Sequence, residues 1–233
     1  MAGVKVVSIP VKMGPMTVMA YLLVGECVIV LDTGVAGQAE RVLECLAREG
    51  RTASDVSLIL LTHGHGDHAG SAEALREATG APIAVGAGDE EKCLSGRDTE
   101  MRARGLVASA LLRTIRRRQT KSPSAGGPVP DLVIDAERSL REYGVEAVVV
   151  PTPGHTRGSL AVFTADGEAL VGDLLGGGGR SRTKPQRGVF VSDEAAMDAS
   201  IREVLARQPR LTYTGHDEQP FTLGQLADAF GRG

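Results

Sequence analysis

Thr62-His63-Gly64-His65-Gly66-Asp67-His68 is the stretch on which the reading of this chain turns. Four side chains able to hold a metal ion fall within six residues: His63, His65, Asp67 and His68. Imidazole and carboxylate together suit zinc, iron and manganese. Just before them, Val56-Ser-Leu-Ile-Leu-Leu61 is an apolar run broken only by Ser57, as expected of a strand buried on both faces. Gly64 and Gly66 are expected to let the loop turn sharply, so that its side chains converge. A lone histidine is most simply a locally satisfied one, but three of the chain's five histidines crowd into this turn.

The remaining candidate ligands sit in turns of the same kind. His155 lies in Pro151-Thr-Pro-Gly-His-Thr-Arg-Gly-Ser159, after an expected strand at 145–150. Asp173 lies in Val171-Gly-Asp173, after a strand at 168–172, and His216 in Tyr213-Thr-Gly-His216-Asp217, after a strand at 210–214. Each follows a strand and is preceded by a glycine. Loops at strand ends are where rigid scaffolds place reactive groups.

Working outward, strands are expected at 3–9, 16–24, 26–31, 82–85 and 159–164, with a tight hairpin at Gly25-Glu26. Ala39, Val42, Leu43 and Leu46 recur at helical spacing over 38–49, and Gly50 follows as a stop. Further helices are expected at 71–79, 193–206 and 223–230. Strands and helices mixed at these spacings argue for one layered α/β domain spanning residues 1–233. Residues 89–130 read as an insertion too short for its own core. A helix is expected over about 99–119, with Ala103, Leu106, Val107, Ala110, Leu111 and Ile115 as its apolar stripe. Its other faces carry Arg102, Arg104, Arg113, Arg116, Arg117 and Arg118, and a Ser/Gly/Pro connector follows. Three readings stay open: a solvated helix face, a homodimer contact through the stripe, or a lid. In the lid reading, Arg102, Arg104 or Arg113 meets an anionic substrate.

Composition excludes several function classes. A formal net charge of -3 gives no global footprint for nucleic acid. Aromatics at 3% and the absence of Trp argue against a stacking platform for bases or sugars. No apolar run reaches the ~18 residues that span a bilayer, so no membrane association is expected. The N-terminus lacks a long apolar segment of the signal-peptide kind. Three irregularly spaced cysteines, Cys27, Cys45 and Cys93, make no disulfide framework, so a cytoplasmic location is expected.

Taken in order, Thr-His-Gly-His-Gly-Asp-His, Pro-Gly-His-Thr, Gly-Asp and Gly-His resemble the signature of the metallo-β-lactamase superfamily, over roughly residues 3–230. The resemblance implies an αββα sandwich, two mixed sheets flanked by helices, with the site at one edge between the sheets. It implies that His63, His65 and His155 hold one divalent metal ion, that Asp67, His68 and His216 hold a second, and that Asp173 bridges them. Zinc is the expected ion, with manganese or iron as alternatives. A metal-bridging hydroxide would then attack an ester, thioester, lactone or phosphoester of a small-molecule substrate. Asp67 would handle the proton, and Asp32 would orient a ligand histidine or a water. Thr156 and Ser159 would hydrogen-bond within their loop, and Arg180, after a glycine run, would contact an anionic substrate. Many true metallo-β-lactamases carry Cys where this chain has Asp173. That points away from β-lactams and toward the glyoxalase II-like and lactonase-like branch. The tyrosine that lactonases carry shortly after the bridging Asp is missing, which leaves Tyr213 as a candidate from another strand. The alternative is a mononuclear iron persulfide-dioxygenase-like oxidoreductase using His63, His155 and Asp173.

Overall fold

The computed structural model describes residues 3–14, 16–97, 100–121, 127–178 and 183–231. The chain begins with β1 (Lys5–Met13), β2 (Met16–Val24) and β3 (Val28–Leu31), an antiparallel meander. Next come α1 (Ala39–Arg48), β4 (Val56–Leu60), α2 (Gly66–Ala69), α3 (Ala72–Thr79) and β5 (Ile83–Gly86). Beyond β5 lie α4 (Glu90–Ser95), β6 (Arg102–Ala103), α5 (Leu106–Lys121) and β7 (Leu132–Ile134). They are followed by β8 (Arg138–Ser139), β9 (Ala147–Pro151), β10 (Leu160–Thr164) and β11 (Glu168–Leu170). The chain continues with β12 (Leu175–Gly178), β13 (Lys184–Arg187), β14 (Phe190–Val191) and α6 (Glu194–Ala206). The last elements are β15 (Leu211–Tyr213), β16 (Phe221–Thr222) and α7 (Leu223–Phe230).

Two six-stranded mixed sheets form, ordered β1-β2-β3-β4-β5-β7 and β16-β15-β11-β10-β9-β8. The first is antiparallel up to β3 and parallel from β3 to β7. Pro10, which has no N–H to give a ladder, sits on the edge strand β1, where that costs least.

Side-chain alternation sorts the core into three layers. From β4, Leu58 and Leu60 point into the space between the sheets, where Val149, Val162 and Leu170 meet them. Ile59 and Leu61 point the other way, onto Val42 and Leu46 of α1 and Leu75 of α3. This two-sided burial explains the apolar run at 56–61, broken only by Ser57. On the far side, Ala161 and Phe163 pack beneath Met197 and Ile201 of α6 and Leu226 of α7. The result is helices, sheet, sheet, helices: the αββα sandwich. Among the described residues, no helix is long and apolar enough to cross a membrane.

Two expectations are corrected. The helix placed at 99–119 begins only at Leu106, because Gly105 takes φ +84 and Arg102-Ala103 pairs instead with Phe190-Val191. Of the expected apolar stripe, Leu106 and Ala110 are exposed, and the side chains of Val107, Leu111 and Ile115 lie outside the described residues. Leu106 is 88% exposed, whereas Ala108 and Leu112 are buried. Ala103 belongs to β6 and lies outside the helix.

Candidate metal centre

The site is assembled from the loops that leave β3, β4, β9, β11 and β15. Asp32, at the end of β3, adopts φ +58, a left-handed conformation that Asp tolerates better than most residues. Its carboxylate, 1% exposed, accepts three hydrogen bonds. Thr62 N donates to Oδ1 at 2.7 Å and Thr62 Oγ1 to Oδ2 at 2.8 Å, while His68 Nδ1 lies 2.8 Å from Oδ2. Thr62 Oγ1, having given its proton to Asp32, is left to accept from His63 Nδ1 at 3.0 Å. His155 Nδ1 donates to Phe190 O and His216 Nδ1 to Thr17 O, both at 2.9 Å. Four histidines therefore spend Nδ1 on the protein and turn Nε2 inward, the arrangement that orients ligand imidazoles. His65 presents the opposite nitrogen, with Nδ1 3.1 Å from His155 Nε2.

The inward atoms converge. His63, His65 and His155 bring one ligand atom each within 4.8 Å of one another, and so do Asp67, His68 and His216. Asp173 stands between the two groups. Its Oδ1 is 3.4 Å from His68 Nε2, and its Oδ2 is 3.2 Å from His216 Nε2 and 3.7 Å from His155 Nε2. Asp67 Oδ2 is 3.7 Å from His216 Nε2. His63 Nε2, His68 Nε2 and Asp173 Oδ1 are buried and make no hydrogen bond. Buried polar atoms without partners are costly. Three of them aimed at one point, in an imidazole and carboxylate set, fit divalent metal ions.

Electrostatics divides the cluster. Burial pushes His155 down to about 4, and it drives His63 well below the ordinary histidine value, aided by the neighbouring imidazoles. Burial also opposes protonation of His68 and His216, but carboxylates outweigh it. Asp173, Asp32 and Asp67 raise His68 to about 10, and Asp173 raises His216 to about 9. In turn, these two imidazoles overcome the burial penalty on Asp173 and hold its carboxyl well below the usual range.

The glycines before the candidate ligands differ: Gly154 and Gly172 take positive φ, whereas Gly64, Gly66 and Gly215 do not. This corrects the expectation that Gly64 and Gly66 serve a sharp turn. A Cβ on Gly64 would lie 2.9 Å from Asp89 O, whereas one on Gly66 would meet nothing within 4 Å. A Cβ on Gly215 would overlap Asp173 Oδ1 and lie 2.7 Å from His68 Cε1. Gly172 takes φ +52 against Thr62. Its carbonyl accepts from Gly215 N at 2.8 Å, which brings Asp173 and His216 side by side.

All seven proposed ligands and Asp32 therefore come together. Arg180 lies outside the described residues. Tyr213 does not reach the cluster: its ring packs edge-on against Tyr21 at 5.6 Å, and its phenol engages Glu168. Of the three arginines named for a lid, Arg104 pairs with Glu194, and Arg113 bonds the Ser109 carbonyl of its own helix. Arg102 lines a cavity of about 610 Å³ beside the His155 loop. One residue was missed altogether. Asp89 is fully buried and bonded to both the Gly64 and the Thr156 loops.

Comparison with known proteins agrees with this geometry. The family model described as the metallo-beta-lactamase superfamily matches residues 13–216. A probable metallo-hydrolase of Methanocaldococcus jannaschii is 27% identical over 85% of this chain and 87% of its own length. A hydroxyacylglutathione hydrolase of Fuscovulum blasticum is 32% identical over 78% of this chain and 55% of that protein. Among solved structures, the B3 metallo-beta-lactamase BLEG-1 superposes with a TM-score of 0.68 at 25% identity, covering 96% of this chain and 97% of that one. With the sandwich, the ordered ligand turns and a family model that spans most of the sequence in agreement, the chain belongs to the metallo-beta-lactamase superfamily.

Proposed function

We propose that the chain is a dinuclear metal-dependent hydrolase that cleaves an ester, thioester, lactone or phosphoester bond in a small anionic molecule. One observation carries the reading: a single, largely buried carboxylate, Asp173, lies within 3.7 Å of imidazoles from both donor groups. In this reading His63, His65 and His155 hold one ion, Asp67, His68 and His216 the other, and Asp173 both. Bound divalent ions, zinc foremost, supply Lewis acidity and lower the pKa of coordinated water from 15.7 to roughly 7. The chain's own residues do the rest. Asp32 fixes the tautomer of His68 by accepting from its Nδ1. The half-buried Asp67 takes the proton of the attacking water and passes it to the leaving group. That His65 Nδ1 approaches His155 Nε2 to 3.1 Å supports the five-histidine site over the three-ligand iron dioxygenase alternative.

The substrate's charge is read from the cavity beside His155. At about 610 Å³ it is of the size that holds small molecules. Arg102, Arg116 and Arg157 line it together with Glu100 and Asp193, and Gly154, next to His155, forms part of its wall. Arg157 is paired with Glu100 at 3.0 Å, and Arg116 donates to Met101 O, which leaves Arg102 as the group to meet an anion. Arg102→Ala is expected to raise KM about fivefold, the equivalent of ~1 kcal/mol for one exposed charge contact. The effect should appear for esters bearing a carboxylate and not for their amide-capped counterparts, with metal content unchanged. Equal KM changes for both would remove Arg102 from the substrate site.

We read residues 89–130 as an insertion in a single domain. The three free thiols support a reducing compartment such as the cytoplasm. The test of the activity is a panel of esters, thioesters, lactones and phosphodiesters, with hydroxyacylglutathione included because of the similarity above. Hydrolysis should be abolished by chelator and restored by zinc. Turnover indifferent to chelator would contradict the proposal.

A further inference from the structure

We propose that Asp89 is a positioning residue, the buried clasp that holds the three-histidine group His63, His65 and His155 at metal-binding distance. The proposal rests on the metal-site reading above. Asp89 lies between β5 and α4 and is 0% exposed. Although it stands at the N-cap position of α4, its side chain makes no capping bond. It reaches instead across two loops. Oδ2 accepts from Gly64 N at 2.9 Å and from Thr156 Oγ1 at 2.6 Å. Oδ1 accepts from Gly158 N at 3.2 Å and from Lys92 Nζ at 3.1 Å. Gly64 sits between ligands His63 and His65, and Thr156 directly follows His155. One carboxylate thus grips the chain beside all three ligands.

The chemistry of the four partners sets the residue type. All four donate, so only an ionised carboxylate satisfies them; an asparagine would turn NH₂ hydrogens toward two donors. Burying that charge requires a counter-charge, and Lys92, itself buried, supplies it. The proton order behind Thr156 follows. Thr156 N donates to Ser159 Oγ at 3.0 Å, and Thr156 Oγ1 spends its proton on Asp89, so Ser159 Oγ donates to Thr156 Oγ1 at 2.8 Å. The two hydroxyls therefore pass rigidity from the clasp into the His155 loop.

Backbone packing points to the same contact. A Cβ on Gly158 would lie 2.5 Å from Gly86 O and 2.7 Å from Asp89 Cβ, and one on Gly64 would lie 3.0 Å from Lys92 Cβ. Gly64, Gly86 and Gly158 do not take positive φ. Close approach of three segments at Asp89, and not backbone conformation, accounts for these glycines. The second donor group is held by other means, Asp32 on His68 and Thr17 O on His216. Asp32 also reaches His63 through Thr62, so the first group has a second support, whereas Asp89 touches only the first group.

The test is zinc affinity and stoichiometry of the full chain, measured by chelator competition, together with the thermal midpoint of the metal-free form. In Asp89→Asn, one of the two zinc ions should bind about 10- to 100-fold more weakly, the range for loss of a ligand-orienting partner. The other ion should keep its affinity. Thr156→Val removes one of the four donors at nearly constant volume and should weaken the same ion to a smaller extent; it carries the test if Asp89→Asn does not fold. Zinc affinities equal to wild type in the folded variant would overturn the proposal, whatever the change in thermal midpoint. So would equal weakening of both ions, which would reflect general loosening. Failure of the wild-type chain to bind zinc at all would overturn the metal-site reading itself, and this proposal with it.

Discussion

Asp173→Asn is expected to lower turnover by more than about 100-fold and to reduce the bound metal together with it. The substitution keeps shape but removes the charge that two imidazoles face, at 3.4 Å from His68 Nε2 and 3.2 Å from His216 Nε2. It also leaves an NH₂ hydrogen or a neutral oxygen where an anionic ligand is needed. Loss of an orienting partner alone costs 10- to 100-fold in metal affinity or activity, and loss of a ligand shared by two ions exceeds that. Elemental content per chain and turnover under metal-replete conditions measure the two effects separately. Full activity with full metal content in this variant would mean that Asp173 does not bridge.

Gly215→Ala is expected to damage the centre as severely, by shape alone. The added methyl would overlap Asp173 Oδ1 and crowd His68 Cε1, and so displaces the proposed bridging residue and one member of the second donor group. Turnover and bound metal should both fall at least tenfold, with a stability loss of about 1–3 kcal/mol from overpacking. Gly66→Ala makes the control. Gly66 also precedes a ligand, but it has no atom within 4 Å of the added Cβ and no positive φ. It begins α2, where Ala is the better helix former, so metal content and midpoint should hold steady or rise. The two variants are distinguished by space, since both are Gly-to-Ala changes immediately before a candidate ligand.

The candidate ligands and the sandwich were legible because each leaves a strong local signal. VSLILL carries apolar side chains on both faces, with Ser57 the one polar exception, which is what a strand between two layers requires, and Ile59 and Leu60 do point into different cores. The ligand turns announce themselves as glycine followed by His or Asp just past such strands. Elements without periodicity were not legible. β6 and β14 have two residues each, and β12 is mostly the glycine run at 176–178, paired with Lys184–Arg187. No pattern of period two can be read from so few side chains. The start of α5 was misplaced for a related reason. Arg102 and Ala103 fit a helix as well as a strand, and only the pairing with Phe190-Val191 decides between them. Asp89 was hidden by its neighbours, because Asp89-Glu90-Glu91 reads as an ordinary solvated helix start. Its four partners come from residues 64, 92, 156 and 158, and no local sequence window contains them all.

The central claim, two divalent ions held by five histidines and two aspartates, is tested most directly by elemental analysis of the chain purified without added metal. The account predicts close to two divalent ions per chain, zinc foremost, and a fall in that number in Asp173→Asn. A single iron per chain, or active protein with no bound metal, would contradict it.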